Sequence, residues 1–191
     1  MKRPDKRTIE ERNRAPKFDW ANKARSRLWS PTRGISSVPK FALLIGTFFY
    51  FGLSPVASGT VGSLVAVVLY FFIPGLQNII ILIFVGIIPV YIAGVWSGGV
   101  VERALGSKDP GIVVIDEVFG QWVTLSFGVG YESDLRFIIL AFIFFRIFDV
   151  LKPPGARYFE RKDGGTGIML DDGVAGIYAG IAARLVMYLI L

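Results

Sequence analysis

The sequence predicts an all-α membrane protein, a polytopic helical bundle that follows a basic N-terminal arm. Hydrophobic residues make up 53% of the 191 residues and charged residues only 19%, whereas about a quarter of a typical soluble domain is charged. No charged residue occurs from Phe41 to Val101, and a spanning helix needs about 20 apolar residues. Because no stretch alternates long enough for a membrane barrel, we expect about four to six helices.

The charges divide the chain at residue 40. Residues 1–40 carry 12 Lys/Arg and 4 Asp/Glu, whereas residues 41–191 carry 9 and 11. We therefore expect a basic cytoplasmic arm over 1–40 and a membrane-embedded domain over 41–191. Such an arm can bind nucleic acid, but one that leads directly into an apolar segment is more typical of a flank that contacts anionic lipid. The lipid bilayer is the predicted partner, and nucleic acid is not.

Turn-forming residues divide the apolar run into three segments. Phe41–Phe51 is too short to span and predicts an interfacial or re-entrant helix. Val61–Ile73 is also short, unless its helix begins inside the preceding Ser/Gly/Thr loop. Ile79–Trp96 predicts a full span, because membrane helices tolerate a proline such as Pro89.

Three later apolar segments, Ile112–Phe127, Phe137–Phe145 and Gly173–Leu191, contain or adjoin carboxylates, and a polar loop over Lys152–Gly167 precedes the last of them. Burying a carboxylate in hydrocarbon costs several kcal/mol, so such residues usually face a bundle interior and mark function. Seven acids lie in or beside apolar segments: Glu102, Asp109, Asp116, Glu117, Asp149, Asp171 and Asp172.

Two explanations of these acids are open. Neighbouring bases can neutralise them, as Arg146 can for Asp149 at i,i+3 or Arg103 for Glu102, and Asp171 or Asp172 can cap the last helix. The adjacent carboxylates at 116–117 and 171–172 are harder to explain in this way, because like charges repel unless a cation joins them. A divalent metal site is therefore the favoured interpretation, and oxygen ligands favour Mg²⁺, Mn²⁺ or Ca²⁺ over zinc.

Two further features suit an anion. The loop GLSPVASGTVGS, residues 52–63, can expose backbone N–H groups, and a helix that begins near Thr60 would add its dipole. It lacks the Gly-Lys-Ser/Thr of a P-loop, and small residues also serve close helix packing. Lys152 near the carboxylates suits a phosphate oxygen, although a lysine there can simply reach the membrane surface.

Exclusion narrows the chemistry. The chain contains no cysteine and no histidine, which excludes thiolate nucleophiles, histidine bases and phosphohistidine. An enzyme of this composition must use carboxylates, cations, hydroxyls and a hard metal ion. Together these features suggest phosphoryl chemistry on a lipid. The alternative is a small membrane cation transporter that uses intramembrane carboxylates.

Four blocks of the sequence resemble the signature blocks of the bacterial phosphatidylglycerophosphatase A family, in the right order and spacing over about residues 41–191. Ser58 departs from the family, whose members commonly have proline there. The resemblance implies a Mg²⁺-dependent membrane phosphatase that removes the terminal phosphate of phosphatidylglycerophosphate, in phospholipid biosynthesis at the bacterial inner membrane. The blocks are GLSPVASGTVGS, KDPGIVVIDEVFGQW, FRIFDVLKPP and GGTGIMLDDGVAGI.

The hypothesis assigns a role to each candidate residue. The catalytic residues are Asp116, Glu117, Asp149 and Asp172. The Mg²⁺ ligands are Asp116, Glu117, Asp149, Asp171, Asp172 and Glu102. The substrate-binding residues are Lys152, Arg146, Thr60, Ser63 and Lys108. Because the arm and the Lys152–Lys162 loop are basic, we expect the site to face the cytoplasm.

Overall fold

The computed structural model describes residues 34–190, which fold into helices with no strand in that range. The all-α class is therefore confirmed for this part of the chain, and residues 1–33 of the predicted arm lie outside it. The seven α-helices are α1 Lys40–Gly46, α2 Ser58–Phe72, α3 Ile79–Leu105, α4 Ile115–Leu125, α5 Leu135–Leu151, α6 Pro154–Glu160 and α7 Gly165–Ile190.

The number of helices exceeds the expected four to six, and one reason is the segment predicted as a polar loop. Lys152–Gly167 contains α6 and the start of α7. Pro154 lies at the first position of α6, where a proline suits a helix because its missing N–H would have no partner there. The glycines after Asp163 then begin α7 instead of forming a loop.

The chain reverses sharply after α1. Phe48, Phe49 and Tyr50 all have positive φ angles, a backbone conformation that non-glycine residues adopt only when their surroundings hold them there. Thr47 Oγ1 donates to Leu43 O at 2.7 Å and accepts from Tyr50 N at 3.0 Å. The short first segment therefore turns back on itself, as expected of a helix that does not span.

Helices α2 and α3 are both longer than their apolar patterns. Helix α2 begins at Ser58, inside the small-residue loop. Helix α3 begins behind Asn78, whose Oδ1 accepts from the backbone N–H of Ile80. Its Leu82–Ile87 segment is π-helical. Proline cannot donate to the helix ladder, and Pro89 follows this widened turn.

Helix α7 packs against α3, α4, α5 and α6. Close approach to α4 depends on small residues, since a Cβ at Gly176 would collide with the Gly120 carbonyl. Thr124 Oγ1 also lies 3.2 Å from Gly176 O. Because α7 begins at Gly165, Asp171 and Asp172 lie inside the helix. The alternative that either of them caps α7 is therefore wrong.

Two of the described helices, α3 and α7, are long and apolar enough to cross a membrane. They contain 27 and 26 residues, against the roughly 20 that a span requires. A core helix of a soluble protein buries most of its apolar residues, yet the most apolar windows of α3 and α7 are only 17% and 39% buried. Many apolar side chains of both helices therefore face outward, as lipid contact requires.

Candidate active site

The centre of the site is the first turn of α4. Val114 precedes this helix, and its N–H donates to Gly46 O at 2.9 Å, which ties the start of α4 to the end of α1. Asp116 and Glu117 follow in the first helical turn, where the helix dipole favours negative charge. Asp116 is buried.

Asp172 brings α7 to the same place. One carboxylate oxygen each of Asp116, Glu117 and Asp172 lies within 4.8 Å of the others. Each of the three residues also has a buried oxygen without a hydrogen-bond partner: Asp116 Oδ1, Glu117 Oε2 and Asp172 Oδ2. Buried carboxylates without partners are costly. A hard cation prefers oxygen ligands, so the set Asp116, Glu117 and Asp172, hereafter the open triad, fits Mg²⁺.

Lys152 lies beside the open triad, at the end of α5. Its Nζ contacts Asp171 Oδ2 at 2.6 Å, Asp149 Oδ1 at 3.2 Å and Asp172 Oδ1 at 3.3 Å. Burial lowers the pKa of the Lys152 ammonium, but the charges of Asp172, Asp171 and Asp149 outweigh it, so the net pKa is raised above its ordinary value. Lys152 is therefore a fixed positive charge among carboxylates.

Arg146 connects α5 with the small-residue loop. Its guanidinium contacts Asp149 Oδ2 at 3.0 Å, the i,i+3 pair expected from the sequence. The same nitrogen donates to Ser63 Oγ at 3.3 Å, and Ser63 donates to Gly59 O at 3.0 Å. A Cβ at Gly59 would collide with Glu117 Oε1 and lie 3.1 Å from an Arg146 nitrogen. The first turn of α2 thus packs directly on the site.

The other predicted residues form no hydrogen bond or ion pair with the open triad within residues 34–190. Thr60 is half-buried in the first turn of α2. Lys108 Nζ contacts Asp163 at 3.1 Å and Arg161 O at 2.7 Å, on the segment between α6 and α7. Glu102 Oε1 accepts from Gly164 N at 3.0 Å, whereas its Oε2 is buried without a partner. Within residues 34–190, Glu102 forms no ion pair with Arg103, so that expected pair is absent.

Two features of the site were not predicted. Gly59 is the contact surface for Glu117, and its only sequence signal is membership of a small-residue loop. Gln121 is fully buried, and neither of its amide atoms has a partner in the described structure. It lies one helical turn after Glu117 on α4, so its side chain leans toward the Glu117 turn. The sequence signal that could have identified Gln121 is a single amide side chain in an apolar segment.

This arrangement places carboxylate oxygens next to positively charged and hydroxyl groups. The open triad could supply oxygen ligands to a cation, and the Arg146 guanidinium and the Ser63 hydroxyl lie beside it at the start of α2. A phosphate monoester needs both kinds of contact, because charge neutralisation and positioning supply most of the catalysis in phosphoryl transfer.

Comparison with known proteins assigns the family. A family model described as phosphatidylglycerophosphatase A matches residues 44–187. A protein of Bacteroides thetaiotaomicron named putative phosphatidylinositol-3-phosphatase is 37% identical, over 78% of this chain and 94% of its own length. No solved structure matches the chain.

Two relatives carry the family name. Phosphatidylglycerophosphatase A of Escherichia coli is 36% identical, over 72% of this chain and 79% of its own length. The protein of the same name from Haemophilus influenzae is 34% identical, over 85% and 98%. The family model covers all four sequence blocks. The chain therefore belongs to the phosphatidylglycerophosphatase A family.

Proposed function

We propose that this protein is a Mg²⁺-dependent phosphatase that converts phosphatidylglycerophosphate into phosphatidylglycerol and inorganic phosphate. The observation that carries the proposal is the open triad, three carboxylates that each have a buried, unpartnered oxygen, beside the Arg146 guanidinium. Family membership supports the phosphatase activity and the lipid substrate. The comparisons do not favour the cation transporter, because all three relatives are named as phosphatases.

In this proposal the open triad holds Mg²⁺. When bound, the ion supplies charge neutralisation at the phosphate and a water of lowered pKa. Arg146 binds a phosphate oxygen with a charge-assisted hydrogen bond, and Asp149 and Ser63 hold the guanidinium in place. Thr60 and the free N–H groups of the α2 first turn add further donors.

The carboxylates of the site carry out the proton transfers. Attack by water forms one P–O bond and breaks the P–O bond to the glycerol oxygen. A carboxylate of the site accepts the proton that the water loses and, as a carboxylic acid, donates it to the glycerol oxygen as that oxygen leaves. The chain has no histidine, so carboxylates are the natural bases for this step.

The proposed location is the bacterial inner membrane, with several spans. The outward apolar faces of α3 and α7 support it, since exposed aliphatic side chains are stable in hydrocarbon. Positive residues are enriched on the cytoplasmic side of membrane proteins. The segment after α5 carries Lys152, Arg157, Arg161 and Lys162, which supports a site that faces the cytoplasm.

A second substrate is also proposed, phosphatidylinositol 3-phosphate. The supporting observation is the name of the Bacteroides relative, putative phosphatidylinositol-3-phosphatase. Both lipids present a phosphate monoester, so the open triad and Arg146 would serve either headgroup. Rates on the two lipids under identical conditions decide between them.

The test is phosphate release by the purified full-length chain in detergent, with and without Mg²⁺. Asp116→Asn removes one charged ligand, and Asp134→Asn is the matched control because Asp134 pairs with Arg136 at the other end of α5. We expect release that needs the metal, survives in Asp134→Asn and is lost in Asp116→Asn. If a folded, monodisperse sample releases no phosphate from either lipid with any divalent metal, the proposed function is wrong.

A further inference from the structure

The carboxylate oxygens of this site divide into two sets. In the open triad, each residue has one buried oxygen with no hydrogen-bond partner. Asp149 and Asp171 have no such oxygen. Asp149 contacts Arg146 through Oδ2 and Lys152 through Oδ1, and Asp171 accepts from Lys152 with Oδ2 and from the Asp172 backbone N–H with Oδ1. The chain itself therefore occupies all four oxygens of the second set.

Asp172 connects the open triad with Lys152. Its Oδ1 lies 3.3 Å from Lys152 Nζ, and its Oδ2 is buried without a partner. Phosphatases with two metal ions hold them about 3.5–4 Å apart. Here one cation next to Asp172 is the lysine ammonium, and the open triad offers the oxygens for the other.

We propose that the Lys152 ammonium takes the place of a second metal ion, so that the site binds a single divalent cation per chain. This inference rests on the proposed metal-dependent phosphatase and adds its metal stoichiometry. It also gives Lys152 a positioning role that differs from the phosphate contact expected from the sequence: the ammonium holds Asp149, Asp171 and Asp172 in place.

Electrostatic repulsion prevents the Lys152 ammonium and a divalent ion from sharing the same carboxylate oxygens. The ammonium is in contact with three carboxylates, and a divalent ion bound by the same oxygens would lie at contact distance from it. Like charges in contact repel strongly at the effective dielectric of a protein surface. A divalent ion therefore binds beside Asp149 and Asp171 only when the lysine charge is removed.

The experiment counts Mn²⁺ on the full-length chain in detergent. Electron paramagnetic resonance of free Mn²⁺ gives the number bound at saturation, and the spectrum of the bound ions shows whether two ions are coupled. We expect one uncoupled Mn²⁺ in the wild type. Lys152→Met should bind two Mn²⁺ ions with a coupled spectrum, because its three aspartates lose their internal cation.

Two control variants isolate the position of the charge. Lys108→Met removes an exposed lysine that pairs with Asp163, and it should still bind one ion. Lys152→Arg keeps a positive charge beside the same aspartates and should also bind one. Circular dichroism and thermal melting establish that each variant is folded before its ions are counted.

The outcomes separate this inference from the proposed function. Two bound ions in the wild type overturn the inference, and this count requires no variant to fold. A folded Lys152→Met variant that binds a single ion also overturns it. Neither result contradicts the proposed metal-dependent phosphate release, which is measured separately with Asp116→Asn. Wild-type protein that binds no Mn²⁺ overturns both the inference and the metal dependence.

Discussion

The polar groups near the two ends of helix α5 differ in whether they all have hydrogen-bond partners. At its start, Asp134 accepts from the Arg136 backbone at 2.8 Å and from the Arg136 guanidinium at 2.7 Å, and the side-chain hydrogen bond from Arg136 holds the pKa of Asp134 below its ordinary value. At its other end, Asp149 and Lys152 adjoin the open triad, which has three buried oxygens without partners.

The same contrast holds for the arginines. Arg184 donates to Phe127 O at 2.8 Å and to Val129 O at 2.9 Å, two carbonyls of the segment that joins α4 to α5. Arg146 instead faces Asp149 and a serine hydroxyl. Satisfied polar groups at one end stabilise the fold. The unpartnered oxygens at the other end are the ones to which our proposal assigns a ligand.

The largest expected difference is between two Asp→Asn variants, one in the open triad and one at the start of α5. Asp172→Asn removes a charge that faces both Lys152 and the open triad, and we expect phosphate release to fall about a thousandfold, since a bound metal supplies several kcal/mol of transition-state stabilisation. Asp134→Asn should stay within about twofold, because an asparagine also caps a helix. Initial rates at saturating Mg²⁺ measure the difference. Equal losses in the two variants would remove the contrast.

An Arg→Lys exchange is the second comparison. Lysine has no planar guanidinium that can contact Asp149 and Ser63 through one nitrogen and leave its other N–H groups for a phosphate oxygen. We expect Arg146→Lys to lower kcat/KM about thirtyfold and to raise KM, whereas Arg136→Lys leaves both unchanged. Kinetics on phosphatidylglycerophosphate in mixed micelles give both constants. An unaltered KM in Arg146→Lys would argue against a phosphate contact.

A single methyl group tests the packing of α2 on the site. In Gly59→Ala, the new Cβ collides with Glu117 Oε1, so α2 or the glutamate must shift. We expect activity to fall about tenfold, because a small displacement of active-site groups from their productive geometry slows the reaction. Gly111→Ala is the matched control, because its Cβ meets nothing within 4 Å. Wild-type activity in Gly59→Ala would show that Glu117 has no fixed position.

The smallest expected effect is at the satisfied end. Arg184→Met removes the donor to two carbonyls, and we expect the free energy of unfolding to fall by about 1–2 kcal/mol. Specific activity of the folded protein should not change. Thermal melting in detergent and an activity assay below the transition give the two values. A loss of activity without a loss of stability would contradict the division between the two ends.

The acids of this protein could be found from the sequence, and so could the local Arg146–Asp149 pair, but the partners from other helices could not. An acid in an apolar segment stands out by composition, and Asp116, Glu117 and Asp172 did so. Whether an oxygen is free depends on which helix supplies the neighbouring cation. The Lys152 contacts with Asp171 and Asp172 join residues 19 and 20 positions apart, and no local pattern predicts them.

Helix boundaries were missed for a related reason. The polar composition of the segment after α5 predicts a loop. Composition indicates average solvent exposure and does not reveal tertiary contacts. The start of α7 at Gly165 depends on tertiary contact, since a Cβ there would collide with the Val95 carbonyl of α3. With that contact, glycines that would weaken an isolated helix become the residues that let two helices approach.

The sequence alone determined the helical class, the apolar segments and the residue types of the site. These depend on local composition and on the cost of placing polar groups in hydrocarbon, which each segment carries by itself. Only the tertiary structure decided which carboxylates are neutralised by Arg146 and Lys152 and which stay open. The reason is that electrostatic pairing depends on distances of a few ångströms, and those distances exist only once α2, α4, α5 and α7 have packed together.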